Sequence, residues 1–126
     1  TTSLKAIVAD SSFSSLSDIL GHQLKYYYLP KFPFAFVSAG CMGLIAGFNP
    51  FKYSPVKSIS KISPESIFLI HGRNDEEIPM KHSLILHKNA QKPCELWIVS
   101  DAGHLESFFR QPQEYQKKVL SFFKEE

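Results

Sequence analysis

With 126 residues, the chain is long enough for one folded domain but short for most enzymes built on a parallel sheet. Hydrophobic residues make up 44% of it and charged residues 21%, as in an ordinary globular protein, and the net charge of +2, spread over scattered Lys and Arg residues, argues against nucleic-acid binding. No apolar stretch reaches the roughly 18 residues of a membrane helix, and Cys41 and Cys94 are expected to be free thiols because no secretory signal is seen in the sequence.

The first half of the chain predicts a strand, a helix and a Phe-rich segment. Leu4 to Ala9 is a short apolar strand that stops at Asp10. From residue 16 to 29, apolar positions 16, 19, 20, 24, 27 and 28 predict a helix with one buried face, ended by Pro30. Residues 30–54 are rich in Phe, Gly and Pro, and we expect a helix of uncertain limits inside an irregular, lid-like insertion, followed by a turn-rich link.

The second half predicts two further strands that alternate with helices. The strands are Ser66 to His71 and Glu95 to Ser100, and a helix from Met80 to Asn89, carrying Leu84 and Ile85, lies between them. The last helix runs over residues 113–126, and its predicted buried positions are Tyr115, Val119, Leu120, Phe122 and Phe123. Apolar strands alternating with helices predict a single α/β domain over residues 1–126, with three parallel strands covered on both faces.

Three polar residues follow the predicted strands, at the edge where functional groups gather in open parallel sheets. Asp10 follows the first strand, Asp75 comes shortly after the second, and His104 comes just after the third. Asp75 and His104 are 29 residues apart, which leaves room for one helix and one strand, so their loops should open side by side. A carboxylate that accepts the Nδ1 proton of a histidine makes its Nε2 a general base.

Two segments resemble the motifs of one enzyme family. S-I-F-L-I-H-G-R-N-D-E-E-I-P is similar to the strand-and-acid motif of α/β hydrolases, and W-I-V-S-D-A-G-H-L-E-S-F is similar to their histidine turn. V-A-D-S-S-F and the link S-P-V-K-S-I-S-K-I also resemble the bacterial serine-hydrolase branch described as peptidase- or esterase-like. The resemblance covers residues 4–123 and implies the C-terminal part of an α/β-hydrolase fold, with Asp75 as the triad acid and His104 as the triad base. We expect no cofactor or metal.

Other interpretations of the acidic residues and of His104 stay open. Asp10 is the main rival of Asp75, because some hydrolases place the acid after an earlier strand, but it equally suits capping of the Ser-rich turn. His104 could simply cap its own turn. Glu76 and Glu77 are expected to be solvated.

The remaining histidines give weaker signals. His71 ends a strand, and we expect it to hydrogen-bond backbone near the acid loop rather than to react. His82 and His87 are five residues apart and therefore do not share a helix face, so they do not predict a metal site. His22 carries no signal.

The family's nucleophile motif, G-x-S-x-G, does not occur in the sequence. A-G-C-M-G at residues 39–43 is the nearest substitute, and a Cys41 thiolate would be a reasonable nucleophile. However, the prolines between Gly43 and Ser66 leave no space for the helix and strand that should follow an elbow, and Pro33 interrupts the stretch before it. We therefore interpret Cys41 as a small apolar residue of the lid helix.

The segment from Leu4 to Ala9 resembles the strand that follows the elbow helix in the family, which implies that the nucleophile lies upstream of Thr1. We expect a hydrolase of ester, amide or thioester bonds in small-molecule substrates, to which this chain supplies the acid and base. The alternative is a non-catalytic fragment or a binding or dimerisation module. An unpaired edge of the first strand predicts a homodimer, or association with the N-terminal portion of the same protein. We expect a cytoplasmic location.

Overall fold

Nine helices and strands are formed by the residues that the computed structural model describes, which are residues 5–49, 52, 54–62 and 66–124. The predicted strand position Leu4 and the last two positions of the predicted final helix lie outside this set. In chain order the elements are β1 (Ala6–Asp10), α1 (Leu16–Tyr26), α2 (Lys31–Ala46), α3 (Pro55–Ile59), β2 (Ser66–Gly72), α4 (Lys81–Asn89), β3 (Cys94–Val99), α5 (Ser107–Arg110) and α6 (Pro112–Lys124).

The three strands form one parallel sheet in the order β1-β2-β3, which confirms the predicted fold class. Asp10 pairs with Ile70, and Ile70 in turn pairs with Trp97, so the carboxyl ends of all three strands lie at one edge of the sheet. This register brings the loops that follow the strands together. Among the described residues, β1 pairs only with β2, and all five of its residues are partly exposed. That its free edge binds a partner stays a prediction.

Helices cover both faces of the sheet, as the continuous apolar strands predict. Because successive side chains of a strand point to opposite faces, β2 contributes to two separate cores. The core under α3 and α4 contains Ile59, Ile67, Leu69, Leu86 and Cys94, and the core under α6 contains Phe68, Ile70, Val99, Ala102 and Phe122. The rings of Phe68 and Phe122 are 5.5 Å apart and anchor α6 to the sheet.

Helix α1 is shorter than its apolar pattern predicts. Its first turn is capped by Ser15, whose hydroxyl accepts a hydrogen bond from the Asp18 amide at 3.2 Å. Its last turn ends before Tyr27 and Tyr28, which are 67% and 96% exposed, so the prediction that they share the buried face is wrong. Tyr28 has a φ of 57°, outside the helical region, and Pro30 prevents the helix from continuing.

The Phe-rich segment contains the expected helix, α2, which spans 16 residues and packs against α1. The helix is kinked at Phe32, whose φ of −100° and ψ of 134° are not helical. It ends at Gly47, whose φ of 71° suits a glycine C-cap. The link that follows contains a short helix, α3, that the sequence did not predict, and it begins at Pro55, where proline costs no hydrogen bond. Within the described ranges, no helix combines the length and the apolar character needed to cross a membrane.

Burial in the last helix differs from the prediction at two positions. Phe122 is buried and Tyr115 and Val119 are partly buried, but Leu120 and Phe123 are 57% and 51% exposed. The apolar pattern of α6 is therefore wider than the stripe that reaches the sheet.

Helix α4 also buries a different stripe from the one that hydropathy suggests. Leu84 and Ile85 lie on it as predicted, yet its buried side chains are those of His82, Ser83 and Leu86. Two polar side chains are thus held inside, where each needs a hydrogen-bond partner.

Candidate functional site

The loops after β2 and β3 are joined by main-chain hydrogen bonds. The Arg73 amide donates to the Val99 carbonyl at 2.8 Å, and the Asn74 amide donates to the Ala102 carbonyl at 2.9 Å. Since residues 73–75 lead to Asp75 and residues 100–104 lead to His104, the backbone itself sets the spacing between the two predicted site residues.

Gly72 lets these two loops approach each other. A Cβ atom at this position would lie 2.3 Å from the Gly103 carbonyl oxygen and 2.5 Å from that of Ala102, far inside any permitted contact. The glycine of the H-G pair is therefore required by close backbone approach rather than by its own backbone conformation.

The structure brings Asp75 and His104 together. The Nδ1 atom of His104 lies 2.9 Å from Oδ2 of Asp75, whose side chain is wholly buried. The other carboxylate oxygen, Oδ1, accepts a hydrogen bond from the Ile78 amide at 2.8 Å, which restrains one side of the carboxylate. An ionised carboxylate can only accept, so Nδ1 carries the proton and Nε2 is left with a lone pair. The His104 side chain is 23% exposed, so solvent reaches the imidazole.

The turn that carries His104 is held by charge-assisted hydrogen bonds. The Gly103 amide donates to Oε2 of Glu106 at 3.1 Å, and the Arg110 Nε donates to the same oxygen at 3.1 Å. These contacts, the backbone hydrogen bond first, lower the pKa of Glu106 below its usual value. Leu105, next to the histidine, has a φ of 55°, and its amide donates to the Ser11 hydroxyl at 3.3 Å. The end of β1 thus also supports the histidine turn.

A cleft of about 470 Å³ opens in front of His104, between the acid loop and α1. His22 and Gln23 of α1 bind the acid loop, since the His22 Nε2 lies 2.6 Å from the Glu76 carbonyl oxygen and Gln23 donates to the Glu77 carbonyl at 3.1 Å. The full lining is His22, Gln23, Tyr26, Tyr27, Asn74, Glu76, Glu77 and His104.

Two of these lining residues show what the sequence could and could not reveal. The Glu77 carboxylate is mostly exposed, as predicted, and its Oε2 is 3.9 Å from Nε2 of His104. His22 was missed, because its partner is 54 residues away and no local pattern reports such a contact.

Asp10 does not contact His104 in the structure. Its Oδ1 accepts hydrogen bonds from the Ser11 hydroxyl at 3.1 Å and from the Ser107 hydroxyl at 3.5 Å. Burial first and the negative charge of Asp10 second raise the pKa of Tyr115. The contact with Ser11 agrees with the interpretation of Asp10 as the acid of the Ser-rich turn. Of the two rival carboxylates, only Asp75 is hydrogen-bonded to the imidazole.

Cys41 lies inside helix α2 and is exposed. A nucleophile elbow is a sharp turn between a strand and a helix, so the middle of a helix does not provide that geometry. The position supports the interpretation of Cys41 as a residue of the lid helix.

His71 hydrogen-bonds a backbone carbonyl of the acid loop, as the sequence predicts, and its other ring nitrogen meets a serine of α4. Its Nε2 is 2.7 Å from the Ile78 carbonyl oxygen and 3.3 Å from Oδ2 of Asp75, and its Nδ1 is 2.6 Å from the Ser83 hydroxyl. The imidazole is completely buried.

An apolar cavity of about 480 Å³ lies at the end of the Phe-rich segment. Its lining residues are Phe13, Leu16, Met42, Phe48 and Pro55. A lid-like insertion predicts that the segment from Phe32 to Phe51 roofs a substrate pocket. In the structure, Phe32 is 74% exposed, and Phe51 lies outside the described residues. That this segment roofs a substrate pocket stays a prediction.

The model of the prolyl oligopeptidase family matches residues 36–126, which include both the acid loop and the histidine turn. The chain belongs to the prolyl oligopeptidase family. Its three parallel strands and their helices correspond to the C-terminal part of an α/β-hydrolase fold, which confirms the resemblance seen in the sequence.

Nearly all of the chain aligns with curated relatives. It is 28% identical to the uncharacterized protein YqkD of Bacillus subtilis over 116 residues, which are 91% of the chain and 38% of that protein. It is 26% identical to the uncharacterized protein YfhR of Escherichia coli K12 over 122 residues, which are 94% of the chain and 36% of that protein. The chain therefore spans well under half of the length of these relatives.

Solved structures show the same partial coverage. The Pyrococcus furiosus esterase Pf2001 superposes with a TM-score of 0.68 at 26% identity, over 95% of this chain and 44% of that chain. The acylaminoacyl peptidase of Pyrococcus horikoshii gives a TM-score of 0.66 at 18% identity, over 95% of this chain and 20% of that chain. At this identity, the second likeness shows the fold alone.

Proposed function

We propose that the protein to which this chain belongs is a serine-type hydrolase of ester, amide or thioester bonds, and that this chain supplies its acid and base. The observation that carries the proposal is the 2.9 Å contact between Nδ1 of His104 and Oδ2 of Asp75, beside an open cleft. Family membership and the likeness to an esterase support the same class of reaction.

In the proposed reaction, His104 accepts the proton of the attacking hydroxyl at Nε2 and becomes an imidazolium. The hydroxyl oxygen forms a bond to the carbonyl carbon of the substrate. When the bond to the leaving group breaks, His104 returns the proton to the leaving alcohol, amine or thiol. Asp75 remains ionised throughout and stabilises the imidazolium, because its buried carboxylate accepts the Nδ1 proton at short range. A water molecule then attacks the acyl group bound to the nucleophile, with His104 again accepting and returning the proton. The bond to the nucleophile breaks, and the carboxylic acid product is released.

We further propose that the nucleophile and the oxyanion-hole donors belong to a part of the protein outside these 126 residues. The sequence has no G-x-S-x-G, and the chain matches only 36–38% of the length of its curated relatives. Cys41 is a poor substitute because it lies inside a helix. On this proposal, the 126-residue chain has no hydrolase activity of its own.

The test is the hydrolysis of p-nitrophenyl acetate by the intact protein and its variants. His104→Ala should lower kcat/KM by at least about 10³-fold, and Asp75→Asn by about 10⁴-fold, because an amide at position 75 favours the wrong imidazole tautomer. His87→Ala is the matched control: its imidazole binds the carbonyl of Cys94 at the start of β3, at the opposite edge of the sheet, so its loss should leave the rate near that of the native protein.

Full activity in His104→Ala, with a native fold shown by circular dichroism, would contradict the proposal. An intact protein that hydrolyses no ester, amide or thioester substrate would instead favour the non-catalytic alternative, in which the pair is inherited scaffold.

A further inference from the structure

We propose that His71 is a positioning residue for Asp75, and that it holds the carboxylate in the orientation that His104 requires. This inference rests on the proposed function, because it assigns His71 a part in the same acid–base pair. His71 does not face the cleft and is completely buried, so it does not touch substrate. Its effect on the reaction is exerted through Asp75.

The hydrogen bonds fix the tautomer of His71. A backbone carbonyl can only accept, and the Ile78 carbonyl oxygen lies 2.7 Å from Nε2, so Nε2 carries a proton. The same N–H group lies 3.3 Å from Oδ2 of Asp75 and makes a second, longer contact there. At Nδ1 the Ser83 hydroxyl, 2.6 Å away, completes the hydrogen bonding of the ring. Since Ser83 is itself buried on α4, the imidazole is held in one orientation from both sides.

These contacts close a ring of interactions around the acid. Ile78 donates its amide to Oδ1 of Asp75 and accepts from His71 through its carbonyl, so one peptide segment is tied both to the carboxylate and to the imidazole. Oδ2 then faces two imidazoles, His71 at 3.3 Å and His104 at 2.9 Å. The carboxylate cannot rotate without breaking the Ile78 contact, and the acid loop cannot move away without breaking the His71 contact. His71 thus ties the end of β2 to the far side of the loop that carries the acid.

Amide substitutions separate this role from simple filling of the core. Glutamine places its amide nitrogen near the Nε2 position of histidine, whereas asparagine places it near Nδ1. His71→Gln therefore keeps a donor toward Ile78 and Asp75, and His71→Asn keeps only the interaction with Ser83. In the intact protein, His71→Asn should lower kcat about 10- to 100-fold with KM changed less than about threefold, and His71→Gln should stay within about threefold of the native kcat.

A second measurement does not depend on turnover. The proton between Nδ1 of His104 and Oδ2 of Asp75 should give a low-field ¹H NMR signal in the native protein and in His71→Gln, and this signal should move or broaden in His71→Asn. If His104→Ala retains activity, the proposed function fails, and the NMR signal still decides whether His71 orients Asp75. If His104→Ala is inactive while His71→Asn keeps the native kcat and an unchanged signal, only the inference about His71 is overturned.

Ser83→Ala provides the test if His71→Asn does not fold. It removes the partner of Nδ1 and frees the ring, so kcat should fall about 3- to 10-fold. Ser14→Ala is the matched control, because Ser14 is equally buried and its hydroxyl lies 2.8 Å from Nδ1 of a different histidine, His82. Its kcat should equal that of the native protein. A native kcat in Ser83→Ala, or an equal loss in both serine variants, would overturn the proposal.

Discussion

Replacing Gly72 by alanine tests whether backbone proximity of the two loops sets the Asp75–His104 distance. The new Cβ would meet the Gly103 carbonyl oxygen at 2.3 Å, about 1.1 Å short of the 3.4 Å at which ordinary contact begins. The three atoms nearest to it belong to the backbone of Ala102 and Gly103, so the histidine turn must move as a unit. A shift of that size lengthens the 2.9 Å contact between Nδ1 and Oδ2 to about 4 Å, which is too long for a hydrogen bond.

The expected result is a loss of about 10²-fold in kcat/KM for ester hydrolysis by the intact protein, with a free energy of unfolding lowered by about 1–3 kcal/mol. Rates are measured well below the unfolding temperature, and urea titration gives the stability. Gly40→Ala is the control: nothing lies within 4 Å of its added Cβ on α2, so stability should stay equal or rise by up to about 1 kcal/mol, with unchanged activity. Native activity and stability in Gly72→Ala would refute the reasoning.

Two further predictions concern buried and exposed side chains outside the pair. Burial lowers the pKa of His82 from its ordinary 6.5, so the unfolded chain binds more protons than the folded one below that pH. The free energy of unfolding should therefore have its full value above pH 6.5 and fall as the pH drops, by at most about 1.4 kcal/mol per pH unit. In urea titrations, His82→Gln should reduce this dependence on pH. An equal dependence in the native protein and the variant would contradict the assignment to His82. Iodoacetamide should modify the exposed Cys41 and spare Cys94, whose burial raises its pKa, while ester hydrolysis by the intact protein is retained. Inactivation in step with labelling of Cys41 would instead support a thiol nucleophile.

The sheet and the proximity of Asp75 to His104 could be predicted from the sequence because both follow from local signals. Continuous apolar runs define β2 and β3, and right-handed connections between parallel strands place their loops side by side. The H-G and G-H pairs mark where the two loops meet, and Gly72 shows why a glycine is needed there.

The remaining features depend on contacts between residues far apart in the chain. His22 reaches the acid loop across 54 residues, and the partner of His82 is Ser14, 68 residues away. Hydropathy also predicts Tyr28 and Leu120 to be buried, yet whether an apolar residue meets the sheet depends on where its helix ends and how it is rotated. Neither quantity is encoded in a short window of sequence.

The hydrogen bonds from Arg73 to Val99 and from Asn74 to Ala102 have a consequence for how such a protein can diversify. They use only peptide groups, so any residue other than proline at positions 73 and 74 preserves them. Side chains that border the cleft can therefore be exchanged during evolution while the contact between Asp75 and His104 stays intact. On the proposed function, the selectivity for a substrate and the chemistry of its cleavage are separately adjustable in this fold.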